Sequence, residues 1–367
     1  MHVGAGIFFQ NLGNERPDTD VYVHELAMAD SIEPLGFDSG WTAEHHFTDY
    51  HMAPSPVQFL TWLAGRTTRI QLGSMVVVLP WHNPVRVAEE FCVLDQMSKG
   101  RALVGLGRGL GRVEFEGFQF EMGESRQRFT EYSEALITAL ETGKLAYDGE
   151  LYKQRPVDIR PGPYASFKGR VYASAVSPES ARIMARLGIG ILLIAQKPWT
   201  TIVAELDNYR EIYRELNGVE APKPLLVSYV ACHESEAAAL EMHEQYTVRY
   251  CRSALEHYEF GNENLANIPG YEYYGNLARR IAKDGPEEFT KLLATLQVRG
   301  TPEQVTEQVV EMVRRIDGAG IIGVFSHGAM PHQMARQNME LFAKKVLPKL
   351  ADVDLGSTVA APSLATR

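Results

Sequence analysis

The chain has 367 residues, 45% of them hydrophobic and 22% charged, a balance that fits a soluble protein with a large buried core. Its formal charge of −10 opposes binding to phosphate polyanions, which Lys and Arg drive, so nucleic acid is excluded as a partner. Three cysteines, Cys92, Cys232 and Cys251, are odd in number, far apart and outside any CxxC spacing. They give neither a disulfide framework nor a zinc site, and a reducing, cytoplasmic compartment is expected.

Short apolar runs alternate with longer helix-like segments from end to end, the pattern of parallel βα units. In chain order the strand candidates are Val3–Phe9, Ser39–Glu44, Ile70–Leu79, Ala102–Gly107, Val171–Ala175, Gly190–Ala195, Leu225–Ala231 and Gly320–Ser326. Most are apolar throughout rather than alternating, as strands covered on both faces should be. The first run is too short for a signal segment, lacks a basic flank and gives way to Gln10-Asn11. No other stretch is long enough to span a bilayer.

Ser177-Pro178 and Thr301-Pro302 place a capping hydroxyl before a proline suited to a first helical position. Gly36, Gly100 and Gly188 stand where helices should end. Eight units, without a Gly-x-Gly-x-x-Gly after the first strand, predict a closed (β/α)₈ barrel rather than an open doubly wound sheet. Residues 1–350 should form one domain, with rim insertions at Lys144–Lys168 and Glu259–Arg299, the latter too long and irregular for a simple connection. Ala351–Arg367, rich in Ala, Ser and Thr, reads as a frayed tail.

Barrels of this type place chemistry at the carboxyl ends of their strands. The second strand ends in Glu44-His45-His46-Phe47, the fourth in Gly107-Arg108-Gly109, and the fifth in Ser177-Pro178-Glu179-Ser180. A helix starting at Ser177 offers free N–H groups and a dipole that favours an anion, although such caps are also common without a ligand. Arg108, flanked by glycines, and Arg126 could join that helix start around one phosphate. For either arginine alone, a surface salt bridge is the commoner role. Consecutive strand residues face opposite ways, so His45 and His46 should not share a metal ion. A histidine at a strand end suits proton transfer, or is simply satisfied by a neighbouring loop.

Several stretches carry a family likeness: Gly36-Phe37-Asp38, Glu44-His45-His46-Phe47-Thr48, Val78-Leu79-Pro80, His82-Asn83-Pro84-Val85-Arg86, Leu94 to Arg101, Arg108-Gly109-Leu110, Ser125-Arg126 and Gly300-Thr301-Pro302-Glu303. In this order the chain resembles the bacterial luciferase-like FMN-dependent monooxygenases. The resemblance implies reduced FMN supplied by a separate flavin reductase, O₂, a small organic substrate and a homodimer. It makes Arg108, Arg126, Ser177 and Ser180 phosphate ligands, and Glu44 with Met75-Val76 neighbours of the flavin ring, where a non-proline cis peptide is expected. It makes His45 the catalytic histidine and Glu259–Arg299 a mobile lid. Phe115 and Phe118 match aromatic pocket residues, though a Phe pair at helical spacing is also ordinary core. Phe47 and Ser228 complete the candidate pocket.

Two positions depart from bacterial luciferase: Gly107 replaces a cysteine and Gly111 an aromatic residue. They predict a broad cavity suited to a cyclic or aromatic substrate. Two alternatives stay open, deazaflavin-dependent hydride transfer on the same barrel and a non-catalytic barrel subunit supporting a partner chain.

Overall fold

Apolar runs covered on both faces become parallel strands because the barrel interior takes one face and the surrounding helices take the other. The computed structural model describes residues 1–174 and 178–355. Among them the barrel strands are β1 (His2–Ile7), β2 (Ser39–Thr42), β3 (Gln71–Ser74, resuming at Val77–Val78), β4 (Ala102–Gly107) and β5 (Val171–Ala173). They are followed by β6 (Gly190–Ile194), β7 (Leu225–Cys232) and β8 (Gly320–Val324). Each pairs in parallel with its successor, and β8 returns to β1 with His2 opposite Gly320, which closes the barrel.

All eight strand expectations therefore find their place, though several strands end earlier than expected, the second at Thr42 rather than Glu44. The run Ile70–Leu79 is split into two pieces, and the Met75-Val76 peptide bond between them is cis, as expected for this position. The fifth strand stops at Ala173, and the stretch 175–177 lies outside the described residues.

Two apolar layers hold the barrel. Inside it pack Trp41, Met75, Leu103, Leu192, Val227, Ile322 and Val324, with the Trp41 ring filling the space over Gly73 and Gly4. Outside, alternate strand residues such as Ala5, Leu72 and Val104 meet helix residues such as Leu60, Leu63 and Phe91. Asp95 and Arg170, both buried, form an ion pair at 2.7 Å, and the guanidinium also donates to the carbonyls of Gly100, Ala102 and Ala165. This ties the end of one helix to the starts of β4 and β5.

Gly100 and Gly188 stand within two residues of a helix end as expected, whereas the first helix already stops at Asp30, ahead of Gly36, and the Ser177 cap lies outside the described residues. Thr301 and Gln304 form a reciprocal capping box ahead of Pro302–Arg315. Gly36, Gly100 and Gly188 all take positive φ.

The first insertion is an antiparallel hairpin, Lys144–Asp148 with Lys153–Asp158, whose turn is gathered by Glu131 accepting the N–H groups of Glu150, Leu151 and Tyr152. The second is not irregular, which corrects the sequence reading. It holds the helices Glu272–Asp284 and Pro286–Thr295 and a short strand, Val298–Gly300, beside β7. Tyr274, Leu277, Ala278 and Ile281 recur at helical spacing, which turns one face toward the barrel. Leu347–Ala351 forms a helix whose Leu350 carbonyl accepts the Met1 amino group, so the tail leaves the barrel later than expected, and 356–367 lie outside the described residues. No described helix is long and apolar enough to cross a membrane.

Candidate active site

A cavity of about 390 Å³ opens at the carboxyl ends of the strands. Glu44, His45, Met75, Val76, Arg108, Arg126 and Ser180 all border it, so every described residue expected at the cofactor or in catalysis comes to one place. Ser177 lies outside the described residues.

Glu44 organises the inner wall. It is buried, and its carboxylate accepts from His46 Nε2 at 2.9 Å, His82 Nε2 at 2.7 Å and the Val78 N–H at 2.8 Å. Burial alone would push this carboxyl up, but these hydrogen bonds and the His82 charge outweigh it and hold it below its ordinary value. His46 thus faces Glu44, while His45 turns to Glu114.

The His45 ring bridges two elements that sequence reasoning did not connect to it. Its Nδ1 lies 3.0 Å from Glu114 Oε1 and 3.2 Å from His257 Nε2, and its Nε2 lies 3.1 Å from the Tyr258 hydroxyl. Glu114 Oε1 also accepts the His46 N–H at 2.9 Å. Burial works against the Glu114 charge, yet the neighbouring His45 and His257 overcome it and depress its pKa to about 2. Burial lowers the His257 pKa. His45, Glu114 and His257 bring one ligand-type atom each within 4.8 Å of one another, and hydrogen bonding among them accounts for that approach.

On the other side the walls become cationic. Arg108 donates to the Gly270 carbonyl at 2.8 Å, and its guanidinium lies 4.1 Å over the Tyr271 ring. Arg126 reaches the same carbonyl at 3.4 Å. A guanidinium carries five donors in a fixed fork, so Arg108 keeps capacity for an anion beyond Gly270. The helix Pro178–Arg186 brings Ser180 to the wall of the same cavity. This donor set fits a phosphate monoester, and the apolar stretch of Met75, Val76, Leu192 and Ile194 fits a planar ring.

The expected substrate pocket needs correction. Gly107 borders the cavity, but a Cβ there would meet Val76 Cγ2 at 2.3 Å, so the space is already filled. A Cβ at Gly111 would meet Glu114 Oε2 at 2.6 Å and His257 Nε2 at 3.2 Å, so no broad cavity opens there either. Phe115 is buried against Val78 and Trp81, and Phe118 packs on Trp81, His46 and Phe47, which is core packing of a helix face. Phe47 is exposed, at positive φ, and Ser228 is buried beneath Gln297. None of these last four borders the cavity.

Residues that do border it, and that were missed, come largely from the second insertion and its approach. Tyr258, Phe260, Tyr273, Tyr274 and Phe289 form one side, and Lys197, paired with Glu205 at 2.6 Å, sits 4.4 Å over the Tyr273 ring. A concentration of aromatic residues between 258 and 289 was the available signal.

The barrel thus carries, beyond its strand ends, one cavity with two arginines on one wall and a buried His–Glu pair on another. The chain belongs to the luciferase-like monooxygenase family, which it matches over residues 1–317. It is similar to the alkanal monooxygenase alpha chain of Photobacterium leiognathi, 30% identical over 345 residues that cover 89% of this chain and 93% of that one. Among solved structures it resembles the monooxygenase RslO1 from Streptomyces bottropensis, with a TM-score of 0.80, 26% identity, and coverage of 95% and 100% of the two chains. More distant structures share the fold alone. The oxygenating constituent of 3,6-diketocamphane monooxygenase from Pseudomonas putida, in complex with FMN, gives a TM-score of 0.73 at 19% identity, covering 95% and 98%. The coenzyme F420-dependent tetrahydromethanopterin reductase of Methanopyrus kandleri gives 0.65 at 19%, covering 95% and 99%.

Proposed function

We propose that the protein is a monooxygenase that uses reduced FMN and O₂ to oxygenate a small, largely apolar organic compound, with a separate reductase delivering the flavin. It acts in the cytoplasm as a homodimer. The observation that carries this reading is the convergence of Glu44, His45, Met75, Val76, Arg108, Arg126 and Ser180 on one cavity.

Arg108, Arg126 and the start of the Pro178–Arg186 helix hold the phosphate. The Met75-Val76 backbone and Leu192 orient the ring. Phe260, Tyr274 and Phe289 exclude water from above it. Bound reduced FMN supplies the electrons that activate O₂. His45, held by Glu114, takes or gives a proton at Nε2, the atom that faces Tyr258.

Equilibrium titration with FMN, riboflavin and coenzyme F420 tests the cofactor. FMN should bind at least about tenfold more tightly than riboflavin, since a phosphate contact contributes roughly 1.5–3 kcal/mol. Tighter binding of F420 than of FMN would overturn the assignment.

A further inference from the structure

A second cleft, of about 600 Å³, lies on the far side of the His45 cluster, lined by Thr48, Asp49, Glu256 and His257. His45, Glu114 and Tyr258 border only the main cavity, whereas His257 and Thr48 border only this cleft. The two spaces therefore meet back to back across one hydrogen-bonded row. His45 Nδ1 stands 3.2 Å from His257 Nε2, and His257 Nδ1 stands 3.3 Å from Thr48 Oγ1.

We propose that His257 and Thr48 form a rear proton path that connects His45 to solvent through the second cleft, so that the main cavity need not open to water when His45 exchanges a proton. The role this gives His45 rests on the function proposed above. When a proton arrives at His45 Nε2, the Nδ1 proton passes to His257 Nε2. The His257 Nδ1 proton then passes to Thr48 Oγ1, whose own hydroxyl proton goes to water in the cleft. One proton enters and one leaves.

The surroundings suit transit rather than storage. Glu114 stays ionised between the two rings, which lowers the cost of the passing positive charge without retaining the proton. Burial disfavours a resting charge on His257, Asp49 favours one, and Tyr50 stacks on the ring at 4.4 Å to fix its plane. His257 is a positioning and relay residue here, since it does not border the main cavity.

The test uses the flavin-free protein labelled with ¹⁵N-histidine. The exchange rate of the His45 ring N–H with solvent is measured by NMR, its signal identified from His45→Gln. In His257→Gln the amide keeps a polar group in place but cannot shuttle a proton, and Thr48→Val replaces the hydroxyl with a methyl group. Both variants, shown to be folded by circular dichroism, should slow exchange by about tenfold or more. Unchanged or faster exchange in either would overturn the path. Slowed exchange together with full product yield from His45→Gln and reduced FMN would uphold the path and sink the catalytic reading of His45, so the two fail separately.

Discussion

The His45 imidazole and the Glu114 carboxylate meet at 3.0 Å although 69 positions separate them in the chain. Glu114 is depressed to about 2 when folded, below its ordinary 4.5, so its ionised form stabilises the fold. That contribution is fully present above pH 4.5, shrinks as pH falls through this window and is gone below about 2. Glu114→Gln should therefore be less stable than wild type near neutrality, by up to about 3 kcal/mol, and the gap should close toward acid. Chemical unfolding at a series of pH values checks this, and parallel curves would contradict it.

Arg108→Ala should weaken FMN binding by about one to two orders of magnitude, through loss of a charge-assisted contact of roughly 1.5–3 kcal/mol. Riboflavin, which has no phosphate, should bind both forms alike. Fluorescence titration of the two flavins separates a phosphate role from a general collapse of the site, where Arg108 also stacks on Tyr271.

The Asp95–Arg170 pair is buried on both sides and satisfied by four further carbonyls. Removing one partner strands the other, so Arg170→Met should cost about 3–5 kcal/mol. Thermal unfolding of the variant should show a large fall in Tm, and a change within about 0.5 kcal/mol would mean that the pair is dispensable.

Gly105 sits where β4 crosses closest to β3, and a Cβ there would lie 1.8 Å from the Ser74 carbonyl oxygen. Gly105→Ala should destabilise the barrel by roughly 1–3 kcal/mol or more, because backbone must move. Gly162→Ala, with nothing within 4 Å, is the control and should be neutral. Equal stability of the two variants would contradict the close approach.

The barrel was legible because its strands are apolar on both faces, and several residues that border the cavity because they follow those strands. Arg108 and His45 needed only that rule. Glu114, His257 and Tyr258 were not legible, since nothing in Arg112–Phe118 or Val248–His257 shows that those helices meet over the second strand. Gly111 misled for a related reason: a missing side chain opens space only if no neighbour fills it, and Glu114 and His257 do.

The proposed reaction is oxygen transfer from O₂ with reduced FMN at the cavity that His45 borders. Single-turnover reactions under ¹⁸O₂, with reduced FMN and a panel of aldehydes, cyclic ketones and aromatic compounds, test it most directly by mass spectrometry. Wild type should place one ¹⁸O atom in the product, and His45→Ala should bind FMN nearly as well yet release H₂O₂ with product yield lowered by about 10²-fold or more. Turnover with a reduced deazaflavin in the absence of O₂, and none with reduced FMN and ¹⁸O₂, would contradict it.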